Sequence, residues 1–204
     1  MFYDPNAETD ISDRGNLPHW HQAGKIQFVT FRLADSLPLA VRNELKAKEE
    51  QFKQFHPLPW SPEIKKLYWK TIGPMEERLL ENGYGSCVLK SKGVRDIVAN
   101  AIMYKDTVNY NVIAFVIMPN HVHLLIQPSG PGTLSTILHS IKRFSSLQIN
   151  KLLNRTGSLW MSESFDRIVR SAGQLKHYVE YIKENPRNLK PTDYTLYING
   201  AEVS

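Results

Sequence analysis

The chain has 204 residues, 42% apolar and 22% charged, a balance that excludes wholesale disorder and suits one domain carrying an insertion. Its longest apolar runs, residues 112–118 and 122–126, fall far short of the roughly 20 residues needed to cross a bilayer, so no membrane partner is expected. One cysteine and an acidic start, MFYDPNAETD, in place of a secretory leader point to a cytoplasmic protein with no internal disulfide.

Residues 1–19 are polar and rich in turn formers, and are expected to form an arm. In residues 25–33, KIQFVTFRL, Ile26, Phe28, Thr30 and Arg32 fall on one face and Gln27, Val29, Phe31 and Leu33 on the other, which predicts a β-strand. Pro38 marks the first turn of a helix running to about Phe55, which the proline-rich HPLPWSP cannot continue. A shorter helical stretch to Gly83, a strand over 86–89 and a helix over 93–104 follow.

Residues 110–118 and 121–127 are β-rich and joined at Pro119-Asn120, so they read as adjacent antiparallel strands. Leu134, Ile137, Leu138, Ile141, Phe144, Leu147 and Leu152 recur near helical spacing, predicting a long amphipathic helix over 133–153. After a short strand at 165–170, Ser171 and Gln174 form a capping-box pattern that opens a last helix, expected to stop at Asn185-Pro186. With residues 36–89 as a helical insertion, the order is strand, helix, strand, strand, helix, strand, then an added helix over 171–186 and a tail over 187–204. That is a ferredoxin-like βαββαβ core of the α+β class, one antiparallel sheet with its helices on one face. Right-handed crossovers would leave the other face for a ligand.

Charge is unevenly spread. Residues 140–190 hold ten Lys and Arg against four acids, a net +6 that leaves −1 elsewhere. A polyanion-binding surface needs such a concentration, although solvated helix faces produce it too. Lys142, Arg143, Arg167 and Arg170 are the candidate phosphate contacts.

His121 and His123 are two apart on a predicted strand, so both imidazoles leave the same face while Val122 points to the packed side. They can share one ion, a pattern equally produced by partly buried histidines. Tyr181 and Asn185 are four apart on the last helix and share a face. The Asn185 amide oxygen is a hard ligand suited to complete a two-imidazole site, unless it merely ends the helix. Tyr178 lies roughly on that face, and His177, four before Tyr181, is a possible proton partner or an exposed helix histidine. Trp20 and Trp160 suit base stacking or burial.

Taken together, Leu17-Pro18-His19-Trp20, residues 28–33 (FVTFRL), 118–124 (MPNHVHL), 138–144 (LHSIKRF), 157–160 (GSLW), 165–170 (FDRIVR) and 181–186 (YIKENP) resemble the single-tyrosine HUH transposases. Within that family they are similar to the branch associated with repetitive extragenic palindromes. The resemblance implies a divalent ion, Mg²⁺ or Mn²⁺, on His121, His123 and Asn185, with Tyr181 as the nucleophile and Tyr178 second to it. It also implies single-stranded hairpin DNA as substrate, a nucleoid location, and a monomer or homodimer, since insertion-sequence relatives act as dimers and the palindrome branch as monomers. After Asn185-Pro186 the branch's usual continuation is replaced by Arg187-Asn188-Leu189-Lys190, a departure that touches the tail and not the site. A zinc hydrolase lacks a third ligand at persuasive spacing and leaves Tyr181 without a role. A non-catalytic single-strand-binding module on the same fold is the remaining alternative.

Overall fold

A computed structural model describes residues 1–7, 10–12, 19–58, 60–130 and 132–200. Two short strands, β1 (Asp10–Ser12) and β2 (His19–His21), pair antiparallel. The main sheet begins with β3 (Gln27–Arg32), whose alternating apolar side chains are buried on both faces. Three helices follow: α1 (Leu39–Phe55), α2 (Pro62–Thr71) and α3 (Gly73–Glu81). Next come α4 (Lys92–Met103), β4 (Tyr110–Ile117), β5 (His121–Pro128), α5 (Leu134–Leu152), β6 (Phe165–Ile168), α6 (Ala172–Glu184) and β7 (Thr195–Ile198).

The five strands are ordered β6-β3-β5-β4-β7, every neighbouring pair antiparallel. Without β7, this is the strand order of a ferredoxin-like sheet, with α4 and α5 as its two crossovers. Both pack on one face, where Val29, Phe31, Val122, Leu124 and Ile126 meet Val98, Ile102, Ile137 and Ile141. The opposite face carries Phe28, Ala114, Val116 and Leu125, and α6 covers it with Tyr178, Val179 and Ile182. The face expected to stand open is therefore partly closed by the chain's own last helix. Its apolar side would otherwise expose several large side chains, each worth roughly 1.5–3 kcal/mol on burial.

The residues 35–87 form a separate compact unit with its own small core of Leu37, Leu45 and Leu80. An aromatic group of Phe52, His56, Trp60 and Tyr68 sits where HPLPWSP ends α1. The unit's two ends meet, as an insertion requires: the Ser86 N–H donates to Asp35 Oδ2 at 2.9 Å. Gly85 beside it has φ +88°, and a Cβ there would lie 2.3 Å from the Asp35 carbonyl oxygen, so only glycine fits.

Several expectations need correcting. The strand expected over 86–89 is absent; Val88–Lys90 is a 3₁₀ turn whose carbonyls, from Leu89 and Lys90, accept hydrogen bonds from the Arg95 guanidinium. Pro38 is the N-cap of α1, not a first-turn residue. In α5, Phe144, Leu147 and Leu152 are exposed, while Ser145 and Ile149 are buried in their stead. A serine is tolerated in that stripe because its hydroxyl accepts the indole N–H of buried Trp160 at 2.9 Å. The tail, left without structure by the sequence reading, adds β7 to the sheet edge and is pinned by Arg95, which also donates to Thr195 Oγ1 and the Thr192 carbonyl. The first residues of the expected arm are likewise tied down, with Tyr3 N–H donating to Val169 and the Met1 carbonyl accepting from Ile26.

Candidate active site

The site lies on the face covered by α6. In β5 the side chains of His121 and His123 project to one side, and Val122 between them is buried among the crossover helices, as the alternation predicted. The two Nε2 atoms are 3.1 Å apart. His121 Nδ1 is 2.7 Å from Asn120 Oδ1, and His123 Nδ1 is 2.8 Å from Thr30 Oγ1 on the neighbouring strand β3. The register that pairs Thr30 with His123 also sets Arg32 opposite His121.

Both rings are almost wholly buried, 2% and 1% exposed. Burial pushes the His121 pKa down to about 3. His123 is pushed well below its usual range by burial first and by the neighbouring His121 second. At neutral pH both are uncharged imidazoles, the form that ligates a metal.

The second half of the site comes from α6. Ser171 caps the helix by accepting the Gln174 N–H, and the Gln174 side chain accepts from Arg170 N, one residue before the position a capping box uses. Ten residues on, Tyr181 Oη reaches 3.4 Å from His123 Nε2. Its ring meets His123 edge-on at 5.1 Å and Phe28 at 5.8 Å. Tyr178 instead stacks flat on Phe28, centroids 4.4 Å apart, and is buried. His177 is exposed.

Asn185 keeps helical dihedrals, φ −54° and ψ −44°, with its N–H still on the Tyr181 carbonyl. Pro186 then converts the α-helix into a 3₁₀ turn, Asn185–Asn188, instead of stopping the chain's turn outright. The Asn185 amide oxygen is buried and has no hydrogen-bond partner. A buried carbonyl oxygen left so costs roughly 1–3 kcal/mol, and a cation would satisfy it. The donor set also fits such an ion on a second count. Two nitrogens about 2.1 Å from one ion at a right angle lie about 3 Å apart, close to the 3.1 Å observed. Among the described residues no three His, Cys, Asp or Glu side chains gather as an alternative metal set.

Of the four basic candidates, Arg143 and Arg170 are exposed, Arg170 with its guanidinium over the Tyr3 ring. Arg167 lies 4.9 Å over Phe165. Lys142 donates to the carbonyls of Met161, Ser162 and Glu163 at 3.1 to 3.3 Å, which ties α5 to the approach of β6. Burial, then Arg32, lowers its pKa to about 8, with Glu163 opposing. Trp160 is core, edge-on to Phe31, and the Trp20 side chain lies outside the described residues. The residues missed by sequence reasoning are Thr30, Asn120 and Phe28. Their signal was present in the strand alternation, which put Phe28 and Thr30 on one face, but the partner strand was not known.

A sheet strand thus presents paired neutral imidazoles, and the helix across it brings the Tyr181 phenol to His123, with the Asn185 amide one turn further on. The family model described as transposase IS200 like matches residues 86–185, a span that includes His121, His123, Tyr181 and Asn185. Over that segment the chain is similar to the IS200-like transposases. Among solved structures, the REP-associated tyrosine transposase bound to a REP hairpin is similar over 91% of each chain, with 13% identity and a TM-score of 0.46. No curated protein matches the chain. No helix among the described residues is long and apolar enough to cross a membrane.

Proposed function

We propose that the protein cuts and rejoins single-stranded DNA beside a hairpin, with Tyr181 as nucleophile, as a member of the palindrome-associated branch. The observation that carries this reading is the convergence of Tyr181 Oη on the buried His121–His123 pair, 3.4 Å from His123 Nε2. The orphaned Asn185 oxygen supports a three-ligand ion site of His121, His123 and Asn185. A bound Mg²⁺ or Mn²⁺ would polarise the scissile phosphate and offset the charge that builds on it.

The chain's own residues supply the rest. Burial keeps both imidazoles neutral and ready as donors, and α6 fixes the phenol through the edge contacts of its ring with Phe28 and His123. Tyr181 Oη forms a bond to phosphorus as the bond from phosphorus to the 3′-oxygen breaks. The phenolic proton leaves to solvent, and the departing oxygen takes one up as a free 3′-hydroxyl. The product is a 5′-phosphotyrosine that retains the phosphodiester energy, so a 3′-hydroxyl can attack it and restore a continuous strand without ATP. The exposed Arg143 and Arg170 would hold phosphates, with Arg167 on β6 a third candidate, while Lys142 would act by fixing the loop before β6.

The test is incubation of labelled single-stranded hairpin DNA with Mg²⁺ or Mn²⁺ and wild type, Tyr181→Phe or Tyr178→Phe, resolved on a denaturing gel. A metal-dependent protein–DNA adduct lost only in Tyr181→Phe is expected. Binding without an adduct in any variant would replace the enzyme with a single-strand-binding module.

A further inference from the structure

Resting on the reading of the histidine pair as an ion site, we propose that Thr30 is a positioning residue that lets His123 exchange the ring nitrogen bearing its proton, while Asn120 holds His121 in one tautomer. The two Nδ1 partners differ in kind. Asn120 presents a carbonyl oxygen, which only accepts, at 2.7 Å, so His121 carries its hydrogen on Nδ1 and a lone pair on Nε2. The facing Nε2 of His123 is 3.1 Å away, and two lone pairs at that distance repel unless a cation lies between them. Without the cation the contact needs one hydrogen, and only His123 can supply it.

In the ion-free protein, His123 is therefore the Nε2–H tautomer, its hydrogen shared toward His121 and facing Tyr181 Oη at 3.4 Å. Its Nδ1 is then bare, and the Thr30 hydroxyl, 2.8 Å away, donates to it. When a cation is held, both Nε2 atoms must offer lone pairs. His123 loses the Nε2 proton to solvent and gains one at Nδ1, with no net release, and the Thr30 hydroxyl turns to accept. A hydroxyl serves both arrangements by rotating one hydrogen, which a backbone carbonyl or a carboxylate cannot do. Thr30 is 93 residues from His123 in sequence and 7% exposed, so the register places it and burial keeps water from replacing it.

The test is long-range ¹⁵N–¹H correlation on the full chain with ¹⁵N-labelled histidine at pH 8, ion-free and then with Mg²⁺, for wild type, Thr30→Ser and Thr30→Val, with Mn²⁺ affinity from calorimetry. Expected are His121 as Nδ1–H throughout, His123 as Nε2–H without the ion and Nδ1–H with it, the same in Thr30→Ser, and an affinity about 10- to 100-fold weaker in Thr30→Val. An ion-free His123 in the Nδ1–H form, or doubly protonated, overturns the proposal. So does Thr30→Val binding as wild type does. If Mg²⁺ alters neither ring of the wild type, the exchange is overturned, and calorimetry tells which premise failed. Absence of Mn²⁺ binding removes the ion site itself, whereas normal binding leaves that site standing without a part for Thr30.

Discussion

The hydroxyl of Tyr181 and Nε2 of His123 stand 3.4 Å apart although 58 residues separate them in the chain. One belongs to α6 and the other to the central strand β5, so the contact exists only because α6 packs across the sheet face that the crossover helices leave uncovered. Tyr178, a turn earlier, is spent on that packing. Tyr178→Ala should cost about 3–5 kcal/mol in urea unfolding, as large aromatic truncations do. Tyr181→Phe, which removes one oxygen and keeps the ring contacts, should stay within about 1 kcal/mol of wild type while abolishing the adduct.

Asn185 gives a prediction of opposite sign for stability and ion binding. Its amide oxygen is buried without a partner, so Asn185→Leu should leave the ion-free melting temperature unchanged or raised. Mn²⁺ affinity by calorimetry should fall at least about tenfold, a loss expected when a ligand is removed. A lower melting temperature with unchanged affinity would make Asn185 a helix-end residue only.

Ion-free stability should fall in acid because of the histidine pair. In the unfolded chain His121 titrates near 6.5, and in the folded one burial holds it down to about 3. Above 6.5 both states are neutral. Between these values the unfolded state binds a proton that the folded state refuses, so stability is lost as pH falls through that window. At pH 5 the loss from His121 is about 2 kcal/mol. Urea melts at pH 8 and pH 5 should show that difference shrinking by about this amount in His121→Gln; an unchanged difference would show that the ring is charged or wet in the fold.

Arg95 predicts the behaviour of the tail. It is 3% exposed and bonded to four acceptors, two on the turn before α4 and two on the segment leading into β7. Arg95→Met should lower stability by about 3 kcal/mol and raise hydrogen exchange at Leu196, Tyr197 and Ile198, and Arg95→Lys should not rescue it because an ammonium lacks the planar fork. Exchange that stays slow at β7 would show that strand pairing alone holds the tail.

DNA binding should respond differently to two neighbouring cations on α5. Arg143 is exposed, so Arg143→Ala should weaken hairpin binding and reduce the slope of log affinity against log salt by about one. Lys142→Met, which removes hydrogen bonds to three carbonyls, should show first as a lower melting temperature. Equal salt slopes for both variants would place Lys142 on the DNA as well.

The local elements were largely legible in the chain. Alternation in 25–33 and across Pro119-Asn120 identified three of the sheet's strands, Ser171 and Pro186 bracketed α6, and the two-residue spacing of His121 and His123 put both rings on one face. These are properties of one strand or helix, set by periods of 2 and 3.6 residues. Motif order alone also sufficed to place the chain beside the transposases. What only the tertiary structure decided is everything that depends on a second element. Strand register made Thr30 the neighbour of His123, the docking of α6 set Tyr181 against His123 and Tyr178 on Phe28, and the tail, bonded by Arg95, paired as a fifth strand. Ser145 belongs with these, since a serine in an apolar stripe reads as an error until the indole of Trp160 is found against it. Spacing along a chain specifies which side chains share a face, but which face they meet is settled by packing and hydrogen-bond satisfaction between segments distant in sequence.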